Sequence, residues 1–351
     1  MASQGGAGRM NNKVFTFFGI TPVSPEWNDW KWQYSHRITS VEALANIILL
    51  GEQEKREIET SLGSFRMAIT PYFASLMDPE DPSCPLRMQA VPSINETRTV
   101  PWETKDPLNE EKDSPVPNIV HRYPDRVLFL VTRQCAMYCR HCLRKRCVGE
   151  EDFIISESEK AKAIEYIAKT PQVRDVLVSG GDPLCISDGA LEDIIARLRS
   201  IEHVEIIRIG TRVPVVLPMR ITADLLSMLK KYHPVWMNVH FNHPRELTAQ
   251  SRKACADIAD AGIPLGNQSV LLRNINDNIG TMKELLLKLV QTRVRPYYIF
   301  QCDLCEGSEH FRTPVETGIE IIQNLTGNIS GFAIPRFVIE APNGSGKVLL
   351  K

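Results

Sequence analysis

The chain has 351 residues, 43% of them hydrophobic and 24% charged, which is ordinary globular usage and excludes disordered or fibrous classes. Lys+Arg 41 against Asp+Glu 42 leave a net charge of -1, so no global field attracts a nucleic-acid backbone or an anionic membrane. No apolar run approaches the roughly 20 residues that cross a bilayer, and Met1 to Arg9 lacks a secretory signal's apolar stretch, so a soluble, cytoplasmic protein acting on a small molecule is expected.

The length predicts one large catalytic domain with an added segment. Residues 1–10, with the Gly/Ser-rich Ala2 to Gly8, read as a tag or flexible tail. Residues 11–117 read as an N-terminal segment. From Trp27 to about Leu76, Val41, Leu44, Ala45, Ile47, Ile48 and Leu49 recur at helical spacing, and from Asp78 to Pro117 a Pro- and acid-rich stretch predicts a long wrapped connection. Residues 118–330 then alternate short apolar runs with helical patterns. Strands are predicted at Val127 to Val131, Val173 to Ser179, Val204 to Ile209, Val235 to His240, Ile263 to Leu271, Arg295 to Gln301 and Phe332 to Ile339. Helices are predicted between most of them, at Glu157 to Ala168, Leu191 to Ser200 and Met282 to Leu289. That alternation argues for an α/β fold of βα units around a parallel sheet, a partial or full barrel, closed off by a C-terminal segment at 331–351. Function then gathers where strands end. Cys135, Ser179 to Asp182, Arg212, His240 to His243, Gln268 and Asp303 all stand at or just after strand-like runs.

Nine cysteines, an odd number unevenly spread, do not suit a secreted disulfide framework, and four of them fall between 135 and 147. Cys135, Cys139 and Cys142 are spaced C-x3-C-x2-C directly after the first strand. Three thiolates on one loop can hold three irons of a cubane and leave the fourth open to a small molecule. A structural zinc site would want a fourth ligand and usually a second C-x2-C pair, and neither is evident nearby. Cys147, one turn on, reads as a bystander.

This three-cysteine loop resembles that of the radical S-adenosylmethionine enzymes, and the wider sequence resembles the lysine 2,3-aminomutase family. The likeness runs through WNDWKWQYSHRI, HRYPDR, CRHCLRKR, VLVSGGDPL, IRIGTRVPVVLPMRIT, VHFNHPREL, GIPLGNQSVLLR, RPYYIFQCDL and APNGSGK, covering almost all of residues 20 to 350. It implies a [4Fe-4S] cluster on Cys135, Cys139 and Cys142, S-adenosylmethionine on its open iron, and pyridoxal 5'-phosphate.

Individual residues acquire roles through that resemblance. Ser179, Gly180, Gly181 and Asp182 would form the loop that holds the methionine amino group; alone, a Gly-Gly turn would more often be a plain connection. His141, His240 and Gln268 would also face the cofactors, with His240 or His243 near the nucleoside. Lys347 would carry pyridoxal phosphate. On its own it would read as a solvated lysine near a chain end, and a P-loop fails because Ala341 and Val348 replace the first glycine and the Ser/Thr. Arg122 and Arg126 would meet the cofactor phosphate, although either suits a surface ion pair.

Substrate choice rests on charge. Arg144 matches the carboxylate-binding arginine, while Asp303 and Glu340 match two acids that meet the ε-ammonium of lysine. Two acids in one pocket imply a basic substrate and argue against glutamate. Glu340 stands where aspartate is familiar and Phe300 where a tyrosine is. Arginine, ornithine or a translation-factor lysine are alternative substrates for the same chemistry, and a non-catalytic iron-sulfur or zinc protein is the alternative class. Asn278 fills a position where the family carries a zinc-binding cysteine, so zinc is not expected. The expected partners are a basic amino acid, a one-electron donor such as flavodoxin or ferredoxin, and further copies of the chain in a homo-oligomer.

Overall fold

Along the middle of the chain, buried and half-open positions alternate, which is what a strand packed on helices at one face and lining a hollow at the other requires. In a computed structural model, which describes residues 10–148, 154–341 and 346–351, these runs become nine strands of one sheet. They are β1 (Ile119–Tyr123), β2 (Arg126–Thr132), β3 (Asp175–Gly180), β4 (Ile206–Thr211), β5 (Val235–Val239), β6 (Leu265–Leu271), β7 (Val294–Gln301), β8 (Arg336–Glu340) and β9 (Lys347–Leu349). Their spatial order is their chain order. Pairs from β2 through β8 are parallel, while β1 on β2 and β9 on β8 are antiparallel.

Each parallel step is made by a helix: Glu157–Ala168, Asp188–Arg199, Ala223–Lys230, Ala249–Asp260, Ile279–Gln291 and Val315–Leu325. The starts of the first five carry side-chain caps that satisfy otherwise orphaned amides, whereas Val315–Leu325 starts after Pro314 with none. Ser156 and Glu159 form a capping box, and Ser187, Thr222, Thr248 and Asn278 each accept from a first-turn amide. Under these helices lie Val176, Val178, Ile207, Ile209, Val235 and Met237, all fully buried, each contributing about 1.5–3 kcal/mol of burial. The opposite positions, Leu177, Ser179, Arg208, Gly210, Asn238 and Gln268, face a hollow.

The ladder does not close, yet the two edges meet through side chains. The Tyr123 hydroxyl on β1 accepts the Lys347 amide of β9 at 3.0 Å, and Arg122 Nη1 lies 3.7 Å from Glu340 on β8. The architecture is therefore an incomplete barrel of seven parallel strands with a seam sealed by polar contacts.

The N-terminal segment starts with a helix at Asn12–Phe18, earlier than the pattern suggests, and continues as short helices to Pro71–Ser75. It belongs to the same core as the barrel through Trp27, Tyr72 and Phe73. Two buried hydroxyls fix it there. Thr70 donates to the Val216 carbonyl at 2.6 Å, and the Tyr72 and Thr248 hydroxyls meet at 2.6 Å. The Asp78 to Pro117 connection holds one short α-helix, Pro85–Ala90, and one 3-10 turn, Ile94–Thr97. The Ala2 to Gly8 tail lies outside the described residues, as do Pro342 to Ser345 of the APNGSGK segment.

Candidate active site

The cysteine loop leaves β2 at Thr132 and is held from below rather than by its own secondary structure. Arg140, fully buried, donates to both oxygens of Glu96 and to the carbonyls of Phe65 and Arg66. Tyr138 packs on Phe65 at 5.8 Å and its amide donates to Ala68. The loop thus sits on the N-terminal segment, which explains why that segment is welded to the barrel. Arg37, partly exposed, donates to the Cys135 carbonyl at 2.6 Å.

Gly180 and Gly181 are required by backbone crowding. Gly180 has φ +132°, and a Cβ at either residue would collide with the carbonyl oxygen of Thr132 or Gln134. The Gly181 and Asp182 amides donate to those same carbonyls at 2.6 Å. The close approach expected towards a ligand is, for these two amides, an approach to the cysteine loop. Asp182 is likewise committed: its carboxylate accepts from the Thr211 hydroxyl and from the Arg212 and Leu184 amides. It fastens β3 to β4 beneath the cluster loop.

A cavity of about 540 Å³ opens inside the barrel at the carboxyl ends of the strands. Most residues singled out from the sequence as site residues line it: Cys135, Cys139, Cys142 and His141; Ser179, Gly180, Gly181 and Asp182; His240 and Gln268; and, at the other end, Arg122, Arg126, Arg144, Asp303, Glu340 and Lys347. His243 does not. Its ring instead caps the turn Pro244–Glu246 by accepting from the Arg245 amide.

At the first end, burial raises the Cys135 thiol well above its ordinary value, and the Cys185, Asp182, Cys142 and Cys139 charges add to that. Burial and then Cys139 push Cys142 to about 11. Thiolates crowded in this way need positive charge between them, which an iron cluster supplies. Among the described residues no three His, Cys, Asp or Glu side chains converge to hold a single metal ion. The Arg212 guanidinium, buried, donates from Nη1 to Cys139 Sγ at 2.7 Å and from Nη2 to Glu246 and Gln89.

His141 and His240 stack at 5.5 Å between ring centres. Burial, then the Arg212 charge, lowers both, His240 to about 3, so both rings are neutral near pH 7. His141 Nδ1, His240 Nε2 and Asn238 Nδ2 are buried and find no partner among the described residues. Orphaned polar atoms in a cavity wall mark where a polar ligand bonds. Gln268 lies beside them on β6, half open to the cavity.

At the far end the Lys347 amine lies 2.5 Å from Glu340 Oε1 and 5.5 Å from the Tyr123 ring centre. Here the protein's own ammonium pairs with one of the two acids. Asp303, half-buried, lines the cavity and makes no hydrogen bond among the described residues. Burial, then Glu340, raises its carboxyl to about 7. Arg122 donates to Asp113 and to the Leu108 carbonyl, and Arg126 pairs with Asp125 while stacking 3.9 Å over the Tyr123 ring. Arg144 grips Glu110 through Nε and Nη2, at 2.7 to 3.1 Å.

Residues 129–286 match the Radical SAM superfamily. The L-lysine 2,3-aminomutase of Fusobacterium nucleatum subsp. nucleatum is 59% identical over 322 residues, 92% of this chain and 76% of that protein. The chain belongs to the lysine 2,3-aminomutase family. A second member, L-lysine 2,3-aminomutase of Clostridium subterminale, is 58% identical over 92% of this chain and 77% of its own length. Glutamate 2,3-aminomutase of Clostridioides difficile is 47% identical over 94% and 78%. Membership makes this protein a radical SAM enzyme of the isomerase class and implies the [4Fe-4S] cluster and S-adenosylmethionine. Because a glutamate enzyme matches at such identity, substrate choice must be read from the pocket.

Around this cavity several residues have contacts that the sequence alone does not signal. Arg212 stands at a predicted strand end but only its contact with Cys139 gives it a role. Glu110 comes from the acid-rich connection, and Tyr123 from the edge strand β1, which the sequence pattern does not mark. Asn242, fully buried, links Gln89 to the His141 ring. Asn278 is a helix cap, accepting from Thr281 at 2.9 Å. No helix among the described residues is long and apolar enough to cross a membrane.

Proposed function

We propose that this protein is an L-lysine 2,3-aminomutase, moving the α-amino group of lysine to C3 to give β-lysine. The observation that carries the proposal is one cavity bounded by three cysteines at one end and by a lysine amine, three arginines and two acids at the other. Cys135, Cys139 and Cys142 hold the cluster; His141, His240 and Gln268, with the Ser179 to Asp182 turn, bound the S-adenosylmethionine space. Lys347 carries pyridoxal phosphate, with Arg122 and Arg126 near its phosphate. When bound, the iron-sulfur and nucleotide pair supplies a hydrogen-abstracting carbon radical, and pyridoxal phosphate supplies a conjugated ring for the migrating nitrogen.

The protein's part is placement. Arg144 offers guanidinium donors to the substrate carboxylate. Asp303 and Glu340 hold the far ammonium, and the Lys347 ammonium already resting 2.5 Å from Glu340 supports that reading. A glutamate side chain there would bring a third negative charge into a buried acid pair, which costs more than any contact returns. The barrel wall keeps water from the reacting centre. A flavodoxin or ferredoxin as electron donor, a homo-oligomer and a cytoplasmic location belong to the same proposal.

The test is anaerobic incubation of reconstituted protein with L-lysine, S-adenosylmethionine, pyridoxal phosphate and reductant, with chromatography of the amino acids. β-Lysine is expected. Turnover of glutamate, arginine or ornithine in place of lysine would reject the substrate, and no product from a fully loaded cluster would reject the activity.

A further inference from the structure

The acid-rich connection is more than a linker. Between Asp106 and Asp113 it lays a row of carboxylates along three arginines of the cavity wall and its rim. Asp113 and the Leu108 carbonyl hold Arg122, Asp106 holds Arg146 at 3.1 Å, and Glu110 holds Arg144 and approaches Arg146 at 3.6 Å. Asn109, at φ +52°, turns the backbone just before Glu110, and the Ser114 hydroxyl bonds the Glu110 carbonyl at 2.6 Å. Glu110 is therefore fixed on its own segment before it meets Arg144, and only 3% of it is exposed.

We propose that Glu110 is a positioning residue for substrate binding: it clamps one edge of the Arg144 guanidinium so that the other edge faces the cavity. A guanidinium has two forked edges able to make paired bonds. Glu110 takes the Nε and Nη2 edge, with bonds of 3.0, 3.1 and 2.7 Å. The Arg144 side-chain hydrogen bonds among the described residues all leave from Nε and Nη2, none from Nη1, and Arg144 lines the cavity. Without the clamp, Arg144 would stand against the like charges of Arg122 and Arg146 and swing between other acids such as Glu111 and Asp106. Substrate would then have to order the side chain as it binds. The inference rests on the assignment of the substrate carboxylate to Arg144.

The test compares Glu110→Gln and Glu110→Asp with Arg144→Lys in the reconstituted holoenzyme. Glu110→Gln is expected to raise the KM for L-lysine about tenfold while kcat stays within about twofold. Glu110→Asp, which keeps the charge, is expected to recover part of the loss. The dissociation constant of L-lysine by calorimetry on cluster-free protein is expected to shift in parallel, with iron content and thermal midpoint unchanged. An unchanged or lower KM in Glu110→Gln overturns the clamp, since a released Arg144 would then bind as well or better. A fall in kcat alone overturns it too. Should Glu110→Gln not fold, an unchanged KM in Glu110→Asp rejects the proposal. If Arg144→Lys also leaves KM unchanged, the carboxylate assignment itself has failed.

Discussion

Replacing Asp303 by asparagine is expected to make the protein more stable and, at the same time, a poorer binder of lysine. Burial, and then the Glu340 charge, raises the Asp303 carboxyl from 3.8 to about 7. A carboxyl whose folded-state value lies above its unfolded one favours folding in its protonated form. That contribution is intact below pH about 4 and is lost as pH rises through about 7, so ionised Asp303 costs stability at neutral and higher pH. A rise of about three pH units is worth roughly 4 kcal/mol if Asp303 bears all of it. Solvent entering the cofactor-free cavity would screen the charge of the half-buried carboxylate, and part of the rise is repulsion shared with Glu340, so about 1–2 kcal/mol is expected to be recoverable. For a chain of this length that is about 1–3 °C in thermal midpoint. The assay is thermal unfolding of cofactor-free wild type and Asp303→Asn between pH 5 and 8.5. The gap is expected to widen with pH and level off above about pH 7, while the KM for lysine rises by about ten- to a hundredfold in the variant. A gap independent of pH, or a wild type more stable at pH 8, would refute the reasoning.

Other perturbations probe the remaining parts of the site. Gly181→Ala puts a methyl group into the Gln134 carbonyl and is expected to cost at least about 2 kcal/mol in denaturant unfolding and to lower iron retention. Arg212→Gln removes a cationic donor from Cys139 Sγ and is expected to make the cluster harder to reduce, measured as a more negative midpoint by spectroelectrochemistry; an unchanged midpoint would remove Arg212 from the cluster's electrostatics. Lys347→Ala is expected to abolish the visible absorbance of bound pyridoxal phosphate while leaving the iron content intact, and retained absorbance would reassign the cofactor lysine.

Much of the barrel was legible because its strands are buried on the helix side and bounded by helix signals. All seven predicted runs became β2 to β8, and the Glu157 to Ala168 helix has the ends its pattern predicts, its start fixed in the fold by the Ser156–Glu159 capping box. β1 and β9 were not legible. Each is an edge strand paired antiparallel to a single neighbour: β1 buries only Ile119 and Val120, and β9 is exposed throughout, so neither carries a long apolar run. The Asn12–Phe18 helix was missed because its apolar run is short and gains its stability from the N-terminal segment around it. The site candidates, named through motifs and resemblance, lie around one cavity, but the contacts that hold them in place were not legible. Arg140, Glu110 and Arg212 act through partners far away in sequence, such as Glu96 for Arg140 and Cys139 for Arg212, and a spacing rule cannot see such pairs. The paired glycines show the same limit: the residue type was read correctly as permitting close approach, but what approaches is the 132–134 backbone.

The most direct test is a crystal structure of the reconstituted enzyme with L-lysine bound. The account predicts the substrate's far ammonium between Asp303 and Glu340, its carboxylate on the open edge of Arg144, and C3 directed towards the cysteine end of the cavity. Lysine bound in the reverse sense, or outside the cavity with the two acids unengaged, would contradict it.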